Sequence, residues 1–241
     1  MRLIFIRHGD PDYVNDCLTA KGRREAACLA ERVKNWKIRD IYLSPMGRAQ
    51  ETASYSLQAL HRDGITLDWL QEFWHPVTDP VTGRQGVPWD FMPEYFTSQE
   101  GFYDRHNWFD TEVLAANPDL KAAALQVYKE WDSLLASYGY IRDGGIYRTA
   151  SASQEQKDCT LVFFCHMGIS LLLLGYLFGI SPSVLWQTVF VAPTSVTIVD
   201  SEERIPGVAS FRAQVIGDTT HLHDGKEPIS SAGFFGTIAE L

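Results

Sequence analysis

The chain has 241 residues, a length that fits one large domain or a domain with an insertion. Its net charge of -9 at pH 7 argues against non-specific binding to nucleic acid or to an anionic membrane, so an anionic ligand would need a local cluster of arginines. The N-terminus lacks the basic and apolar stretches of a signal peptide, and the apolar run at 171–178 is too short to span a bilayer. We therefore expect a cytoplasmic protein.

The first part of the chain alternates apolar strands with amphipathic helices. Residues 3–6 are apolar at consecutive positions, which predicts a central strand at 2–6. Thr19 is a favourable N-cap for the helix that follows. A second strand is expected at 40–44, and Ser44 followed by proline predicts the N-cap of a second helix. Arg48 then falls in the first turn of that helix, where backbone N–H groups favour anions.

A long segment without clear periodicity follows the third expected strand. That strand is expected at 65–70 and ends near Glu72. Residues from about 73 to 115 are rich in Trp, Phe, Tyr, Pro and Gly, which predicts an insertion that folds over the sheet and could act as a lid. We expect its aromatic rings to form a small core of their own. A nucleotide-stacking surface and a homodimer surface are the alternatives for these rings.

The last part of the chain completes an alternating pattern. Asn117-Pro118-Asp119 predicts the start of a helix whose apolar positions run from Leu120 to Tyr138. The remaining elements expected are a surface loop at 142–158, a strand at 160–165, a buried helix at 168–178, and strands at 195–200 and 208–216. The pattern predicts a single domain over 1–241, a three-layer α/β/α sandwich with a mostly parallel central sheet.

Two of the expected strands each end in a histidine. The first strand is followed by Arg7 and His8, and the strand at 160–165 is followed by His166. Carboxyl ends of neighbouring parallel strands meet at one edge, where open α/β sheets bind ligands, so we expect these side chains to converge. His8 could act as a nucleophile, with Arg7 and Arg48 as planar donors to phosphate oxygens. A protonated His166 would add a third donor.

The cysteines and acidic residues give no sign of a metal site. The four cysteines form no C-x-x-C pair, so reduced thiols are expected rather than a zinc or redox motif. No spacing of His, Asp or Glu asks for a metal ion. The donors above would balance a phosphate without Mg²⁺, so we expect no metal and no cofactor.

Several short motifs, in order, resemble the histidine phosphatase superfamily, in the branch that includes cofactor-dependent phosphoglycerate mutases. They are Arg-His-Gly at 7–9, Leu-Thr-x-x-Gly at 18–22, Ser-Pro-Met-Gly-Arg-Ala-Gln-Glu-Thr-Ala at 44–53, Cys-His-Met-Gly at 165–168, and Gly-Asp-Thr-Thr-His-Leu at 217–222. The resemblance implies hydrolysis of a small phosphorylated metabolite through a phosphohistidine on His8. It implies that Arg7, Arg48 and His166 hold the phosphate, and that a carboxylate after the third strand, here Glu72, donates the proton.

Alternatives remain for the activity and for the proton donor. After Arg-His-Gly the chain has Asp-Pro-Asp-Tyr at 10–13, where mutases have a different set of substrate-contacting residues. This favours a phosphatase over a mutase-type isomerase, while a non-catalytic phospho-ligand binding protein is a third possibility. Asp10, Glu94 and Glu100 compete with Glu72 as the acid. In or near the insertion, surface groups are expected at His75, Arg84, Arg105 and His106, with binding of the rest of a substrate as the alternative. Asp218 and His221 are expected to orient the first loop, which follows the first strand, or to line the pocket edge. No role is expected for His61 and His223.

Overall fold

The computed structural model describes residues 1–239. Its strands are β1 (Arg2–Arg7), β2 (Pro11–Asp12), β3 (Cys17–Leu18), β4 (Asp40–Leu43), β5 (Ile65–Thr66), β6 (Val77–Thr78), β7 (Gln85–Gly86), β8 (Ile141–Asp143), β9 (Ile146–Arg148), β10 (Thr160–Cys165), β11 (Val196–Ile205) and β12 (Val208–Asp218). Its α-helices are α1 (Ala20–Val33), α2 (Gly47–Leu60), α3 (Pro93–Ser98), α4 (Glu112–Ala115), α5 (Leu120–Ser137), α6 (Gln154–Lys157), α7 (Met167–Phe178), α8 (Pro182–Thr188) and α9 (Thr220–Asp224). Short 3-10 turns cover Asp68–Leu70, Glu100–Tyr103 and Trp108–Asp110.

The central feature is an 8-stranded sheet with the order β5-β4-β10-β1-β11-β12-β9-β8. Strands β5, β4, β10 and β1 pair in parallel. From β1 onward, β11, β12, β9 and β8 pair antiparallel. The α/β class and the inner place of β1 are confirmed, but only one half of the sheet is parallel. The antiparallel half arises because β11 turns directly into β12, and strands joined by a tight turn run antiparallel.

Helices cover both faces of the sheet because side chains of a strand alternate between its faces. On one face, Ile4 and Ile6 pack in a cluster with Leu29 of α1 and Ala53 of α2. On the other face, Leu3 and Phe5 belong to a cluster that includes residues of α5 and α7. Helix α7 is buried almost all round, as its continuous apolar sequence predicts.

The local predictions differ from the structure at three places. The strand expected at 65–70 pairs only over Ile65–Thr66 and then becomes a 3-10 turn. The surface loop expected at 142–158 contains the β8–β9 hairpin and α6. Helix α2 has Met46 at its N-cap, and Ser44 is not the cap. Thr19, by contrast, caps α1 by accepting a hydrogen bond from the Gly22 N–H.

The aromatic segment at 73–115 does not have a separate core. Its buried rings belong to the same hydrophobic cluster as Phe5 of β1, Phe163 of β10 and Trp131 of α5. These buried rings of the segment are Phe73, Phe91, Phe96, Phe102, Trp108 and Phe109. The segment is therefore tied to the sheet by the main core, against the expectation of an independent small one.

Within residues 1–239, no helix combines the length and the apolar character needed to cross a bilayer.

Candidate active site

The register of the three central parallel strands brings their following residues to one edge. Arg7 of β1 pairs with Cys165 of β10, so His8 and His166 each stand one position beyond the paired ends. The two imidazole rings have centroids 5.1 Å apart. The end of β4 lies level with them, since the Ser44 N–H donates to the Phe164 carbonyl at 2.9 Å. The convergence expected from the sequence is therefore present.

The His8 ring has a defined tautomer. Its Nδ1 lies 2.7 Å from the Gly9 carbonyl oxygen, which can only accept, so Nδ1 carries the proton and Nε2 has a free lone pair. His8 is 1% exposed. Burial, followed by the charges of Arg7 and Arg48, holds the pKa of His8 well below 6.5. The ring is thus a neutral imidazole at neutral pH, the form in which a histidine is a nucleophile.

Both predicted arginines are buried beside this ring. Arg7 donates through Nη1 to the Val191 carbonyl at 2.8 Å. Arg48 lies in the first turn of α2, as predicted, and its Nη1 contacts a carboxylate oxygen of Asp16 at 2.5 Å. The Nε atoms of both arginines are buried and have no hydrogen-bond partner in the described part of the chain. Buried donors without partners are rare in native proteins and indicate that an acceptor binds here.

His166 is held by Ser44, the residue that the sequence predicted as a helix cap. The Ser44 hydroxyl accepts from the Met46 N–H at 3.2 Å and contacts His166 Nε2 at 2.7 Å. When the hydroxyl proton points to Nε2, the imidazole proton lies on Nδ1, a buried atom without a partner among residues 1–239. Burial, with the neighbouring His8, Arg48 and Arg7, lowers the pKa of His166 well below 6.5. This direction favours the neutral ring, which still offers one N–H.

Glu72 lies at the N-terminus of α7, immediately beside this group. Its carboxylate accepts from the N–H groups of Gly168 at 3.2 Å and Ile169 at 3.0 Å. Burial raises the pKa of Glu72, against the opposing effect of its backbone donors and of Arg7. A carboxyl group with a raised pKa, fixed in position, is suited to giving and taking a proton.

The competing carboxylates are placed less favourably. Asp10 accepts from the Thr19 hydroxyl at 2.6 Å and from Ser230, so it is engaged in holding the loop. Glu94 and Glu100 are exposed on the aromatic segment. Glu72 is thus the one of the four that lies against the start of α7, next to His166.

Tyr13 and Asp16 belong to the site although the sequence did not assign them a role. The Tyr13 ring lies under the Arg48 guanidinium at 5.4 Å and meets the His8 ring edge-on at 6.4 Å. Asp16 also accepts from the Gly47 N–H at 2.7 Å, which fixes the first turn of α2. The unusual Asp-Pro-Asp-Tyr loop was the only signal for Tyr13, because loop side chains have no periodicity that places them.

Asp218 and His221 support the first loop indirectly. Asp218 binds Arg32 at 2.6 Å, and Arg32 donates to His221 Nδ1 at 3.3 Å. His221 Nε2 then contacts the Thr194 hydroxyl at 3.0 Å, and the Thr194 N–H donates to the carbonyls of Arg7 and His8. Burial and Arg32 lower the pKa of His221 to about 4. The His221 ring, at the buried end of this series of contacts, is therefore neutral at neutral pH.

The other titratable residues of the aromatic segment lie elsewhere. Arg105 and His106 are exposed and line a cavity of about 940 Å³ beside Gly179, at the far end of α7. A 12-residue helix separates that end from His166 by about 18 Å. Arg84 is exposed and His75 is half-buried against Phe73, while His61 ends α2 and His223 is exposed. None of these residues contacts His8 in the described structure.

The residues of the site do not form a metal-binding group. Across residues 1–239 no three His, Cys, Asp or Glu side chains are grouped so that they could hold a metal ion. The four cysteines are free, and Cys165 is buried at the end of β10, as the sequence predicts.

The first part of this chain is similar to the histidine phosphatase superfamily. The family model of the histidine phosphatase superfamily (branch 1) matches residues 3–79, which include β1, β4, the first turn of α2 and Glu72. The resemblance drawn from the sequence motifs is confirmed. A search of curated proteins gave no match.

Solved structures of phosphatases share the fold over nearly the whole chain. One is the mycobacterial glucosyl-3-phosphoglycerate phosphatase in complex with inorganic phosphate, with 18% identity and a TM-score of 0.58; the match covers 91% of this chain and 98% of that one. Another is phosphoserine phosphatase from Entamoeba histolytica in complex with 3-phosphoglyceric acid, with 16% identity and a TM-score of 0.57; it covers 92% and 98%. At these identities the likeness establishes the fold.

Proposed function

We propose that this chain is a metal-independent phosphomonoesterase that hydrolyses a small phosphorylated metabolite through a phosphohistidine on His8. The observation that carries the proposal is the neutral His8 ring with Nε2 unprotonated, beside residues that carry three buried nitrogens without a hydrogen-bond partner among residues 1–239. Those nitrogens are the Nε atoms of Arg7 and Arg48 and the Nδ1 atom of His166. A binding protein would need the cations, but it would not need a nucleophilic nitrogen or a carboxyl group beside it.

In the first step, His8 Nε2 attacks phosphorus while the bond from phosphorus to the ester oxygen breaks. Arg7, Arg48 and the His166 N–H hold the equatorial oxygens, where negative charge gathers in the transition state. Glu72 in its protonated form gives its proton to the departing oxygen, so the product leaves as an alcohol. The phosphorus–nitrogen bond then joins the phosphoryl group to His8.

In the second step, water attacks the phosphoryl group and the phosphorus–nitrogen bond breaks. The Glu72 carboxylate left by the first step takes a proton from the water, and His8 returns to its neutral form. Inorganic phosphate is the second product. The same carboxyl group therefore acts first as an acid and then as a base, and the cycle closes without a metal or an external cofactor.

The test is hydrolysis of p-nitrophenyl phosphate in the presence of a chelator, with acid-labile labelling of the protein as a second measurement. The wild-type protein should release phosphate without Mg²⁺ and should carry a trapped phosphoryl group after rapid acid-free denaturation. His8→Ala should abolish turnover and labelling together, because it removes the nitrogen that accepts the phosphoryl group. A folded His8→Ala protein that keeps comparable turnover would refute the covalent mechanism.

Two further proposals accompany this function. We place the reaction in the cytoplasm, because the four free cysteines fit a reducing compartment. A homodimer through exposed aromatic residues such as Trp74, which is 63% exposed, stays a prediction. A mutase-type isomerase would use the same phosphohistidine, and a coupled assay with 3-phosphoglycerate distinguishes it from the phosphatase.

A further inference from the structure

An aromatic cavity of about 430 Å³ lies beside the phosphate-binding residues. Its walls come from four separate parts of the chain: residues 89–93 of the aromatic segment, Met167 at the start of α7, residues 186–190 around the end of α8, and residues 233–236 near the C-terminus. The rings that line it are Trp89, Phe91, Trp186, Phe190, Phe234 and Phe235. Hereafter this space is called the aromatic cavity.

Residues that line the aromatic cavity lie next to the catalytic residues. The Phe190 ring lies 5.8 Å from the Arg7 guanidinium carbon. Met167, which lines the cavity, directly follows His166 in the chain. Trp89 and the Glu72 carboxylate both lie close to the position of a Cβ at Gly168, since a Cβ there would be 2.4 Å from the ring and 2.7 Å from Oε1. If Glu72 protonates the ester oxygen, the alcohol part of the substrate therefore extends into this cavity.

The rings stand in pairs that enclose the space. Trp89 and Trp186 have centroids 5.8 Å apart with planes tilted by 57°. Phe190 and Phe234 are 4.8 Å apart. Aromatic rings in the wall of a cavity offer electron-rich surface, which attracts a cation such as an ammonium group.

The charge of the cavity has the matching sign. Of the described residues that line it, Asp90 is the only charged one. Its carboxylate is half-buried and has no hydrogen-bond donor among residues 1–239, and burial raises its pKa to about 6. A carboxylate that has lost part of its solvent without gaining a partner is stabilised by a nearby cation. The same carboxylate repels a substrate that carries a second acidic group.

The C-terminal wall is held against the rest of the site. Glu227 pairs with Lys21 at 3.2 Å and with Arg24 at 2.8 Å, and the Ser230 hydroxyl donates to Asp10. The segment then passes Arg7, because a Cβ at Gly233 would be 3.2 Å from its Nη2. Residues 233–236 thus form the wall of the cavity next to Arg7.

We propose that the substrate is a phosphate monoester whose alcohol carries a cationic ammonium group on a short alkyl linker, with the ammonium in the aromatic cavity beside Asp90. This inference rests on the proposed phosphatase function and names its substrate class. Arg7, Arg48 and His166 take the phosphate, and the rings and Asp90 take the opposite charge at the other end of the molecule. The two ends of such a zwitterion are therefore recognised by separate groups of opposite sign.

The experiment compares phosphocholine with 3,3-dimethylbutyl phosphate, which has the same shape but no positive charge. The wild-type protein should show a kcat/KM for phosphocholine about 30-fold above that for the neutral ester, the size expected for a desolvated cation on aromatic faces. 3-Phosphoglycerate, which brings a carboxylate, should be poorer than both. Equal values for phosphocholine and the neutral ester would overturn the inference.

Asp90→Asn tests the carboxylate with little change of shape. It should lower kcat/KM for phosphocholine about tenfold and leave that for the neutral ester within about twofold, the difference expected from losing one nearby opposite charge. Glu94→Gln removes an exposed carboxylate of the same segment outside the cavity and should change neither value. An Asp90→Asn protein that loses both substrates equally would contradict a role in charge recognition.

Hydrolysis of p-nitrophenyl phosphate distinguishes a failure of the proposed substrate class from a failure of the proposed phosphatase function. If the same preparation hydrolyses it but does not prefer phosphocholine, the substrate class is wrong and the phosphatase function stands. If it hydrolyses none of the esters, the phosphatase function fails and this inference fails with it.

Discussion

The phosphate-binding edge of the sheet and the aromatic cavity beside it are built in opposite ways. The first is formed where β1, β10 and β4 end, and its functional atoms belong to buried side chains fixed by backbone pairing. The second is enclosed by loops and a terminal segment, and Phe234 and Phe235 in its wall are 40% and 87% exposed. The chemistry of the site therefore depends on the sheet. Its selectivity among phosphate esters depends on loops and a terminal segment whose positions the sheet does not determine.

The largest effect short of losing His8 is expected from Arg48→Ala. Removal of one buried donor to the transferring phosphoryl group should lower kcat/KM by roughly 10²-fold or more, and equally for every phosphate ester. Steady-state kinetics on p-nitrophenyl phosphate and on an alkyl phosphate measure this. Arg23→Ala, on the exposed side of α1 and paired with Glu51, is the matched control and should have no effect. A loss of kcat/KM confined to one ester would show that phosphate binding and selection among esters do not depend on separate regions.

Glu72→Gln should affect esters according to their leaving groups. With an alkyl phosphate, which needs a proton, kcat should fall about 10²-fold or more. With p-nitrophenyl phosphate the first step needs no acid, so a burst of nitrophenol equal to the enzyme should precede a slow second step. Rapid-mixing absorbance measurements show the burst.

The pH profile gives a second test of Glu72. Since burial raises the pKa of Glu72, the wild-type rate on an alkyl ester should fall as pH rises through that raised value, where the acid form is lost. Glu72→Gln should flatten this limb, and the exposed Glu100→Gln should keep it. An unchanged profile in Glu72→Gln would assign the acid to another carboxyl group.

Gly168→Ala should affect both regions together, and more weakly. The added methyl group must displace Trp89 or the Glu72 carboxylate, which lie within 2.4 and 2.7 Å of its position. We expect about a tenfold loss in kcat/KM and a destabilisation of about 1–3 kcal/mol from overpacking. Gly145→Ala, where the added methyl group meets nothing within 4 Å, is the control. Thermal unfolding together with kinetics separates the two effects, and wild-type values for both would show that the wall yields freely.

The smallest effect concerns stability rather than catalysis. The pKa of His221 is lowered from 6.5 to about 4, so the unfolded chain binds a proton that the folded chain does not over this pH range. The free energy of unfolding should therefore decrease as pH falls from 6.5 towards 4. His221→Asn should reduce this slope, while exposed His223→Asn should not. Urea unfolding at several pH values measures the slopes, and identical slopes in wild type and His221→Asn would contradict the assignment.

The sequence predicted the elements whose side chains repeat with a clear period. Strands β1 and β10 and helix α5 lie where their apolar patterns place them, and the motif at each strand end brought the site residues together. Ser44 was misassigned because a Ser-Pro pair fits a helix start, yet its hydroxyl is used by His166. The antiparallel pairing of β11 and β12 has a local cause in the sequence. The two strands are joined by a Pro-Gly pair, a typical turn sequence, and Gly207 in this turn has φ +81°.

The aromatic cavity could not be predicted in the same way. Its walls join residues near positions 89, 186 and 234, and no short-range pattern relates them. The apolar residues of 73–115 gave a correct expectation of burial, but the expectation of a separate core failed because contact with Phe163 and Trp131 depends on the whole chain. The proposed role of Asp90 likewise could not be predicted, because it depends on the aromatic rings that the fold places around it.

The segment at 227–236 is fastened to α1 and the first loop mainly by ion pairs and a hydroxyl contact, and it contributes one wall of the cavity. Substitutions there can accumulate without disturbing the buried interior. The sequence of this segment could thus diverge among related proteins. Each protein would keep the same reaction and would prefer a different phosphate ester.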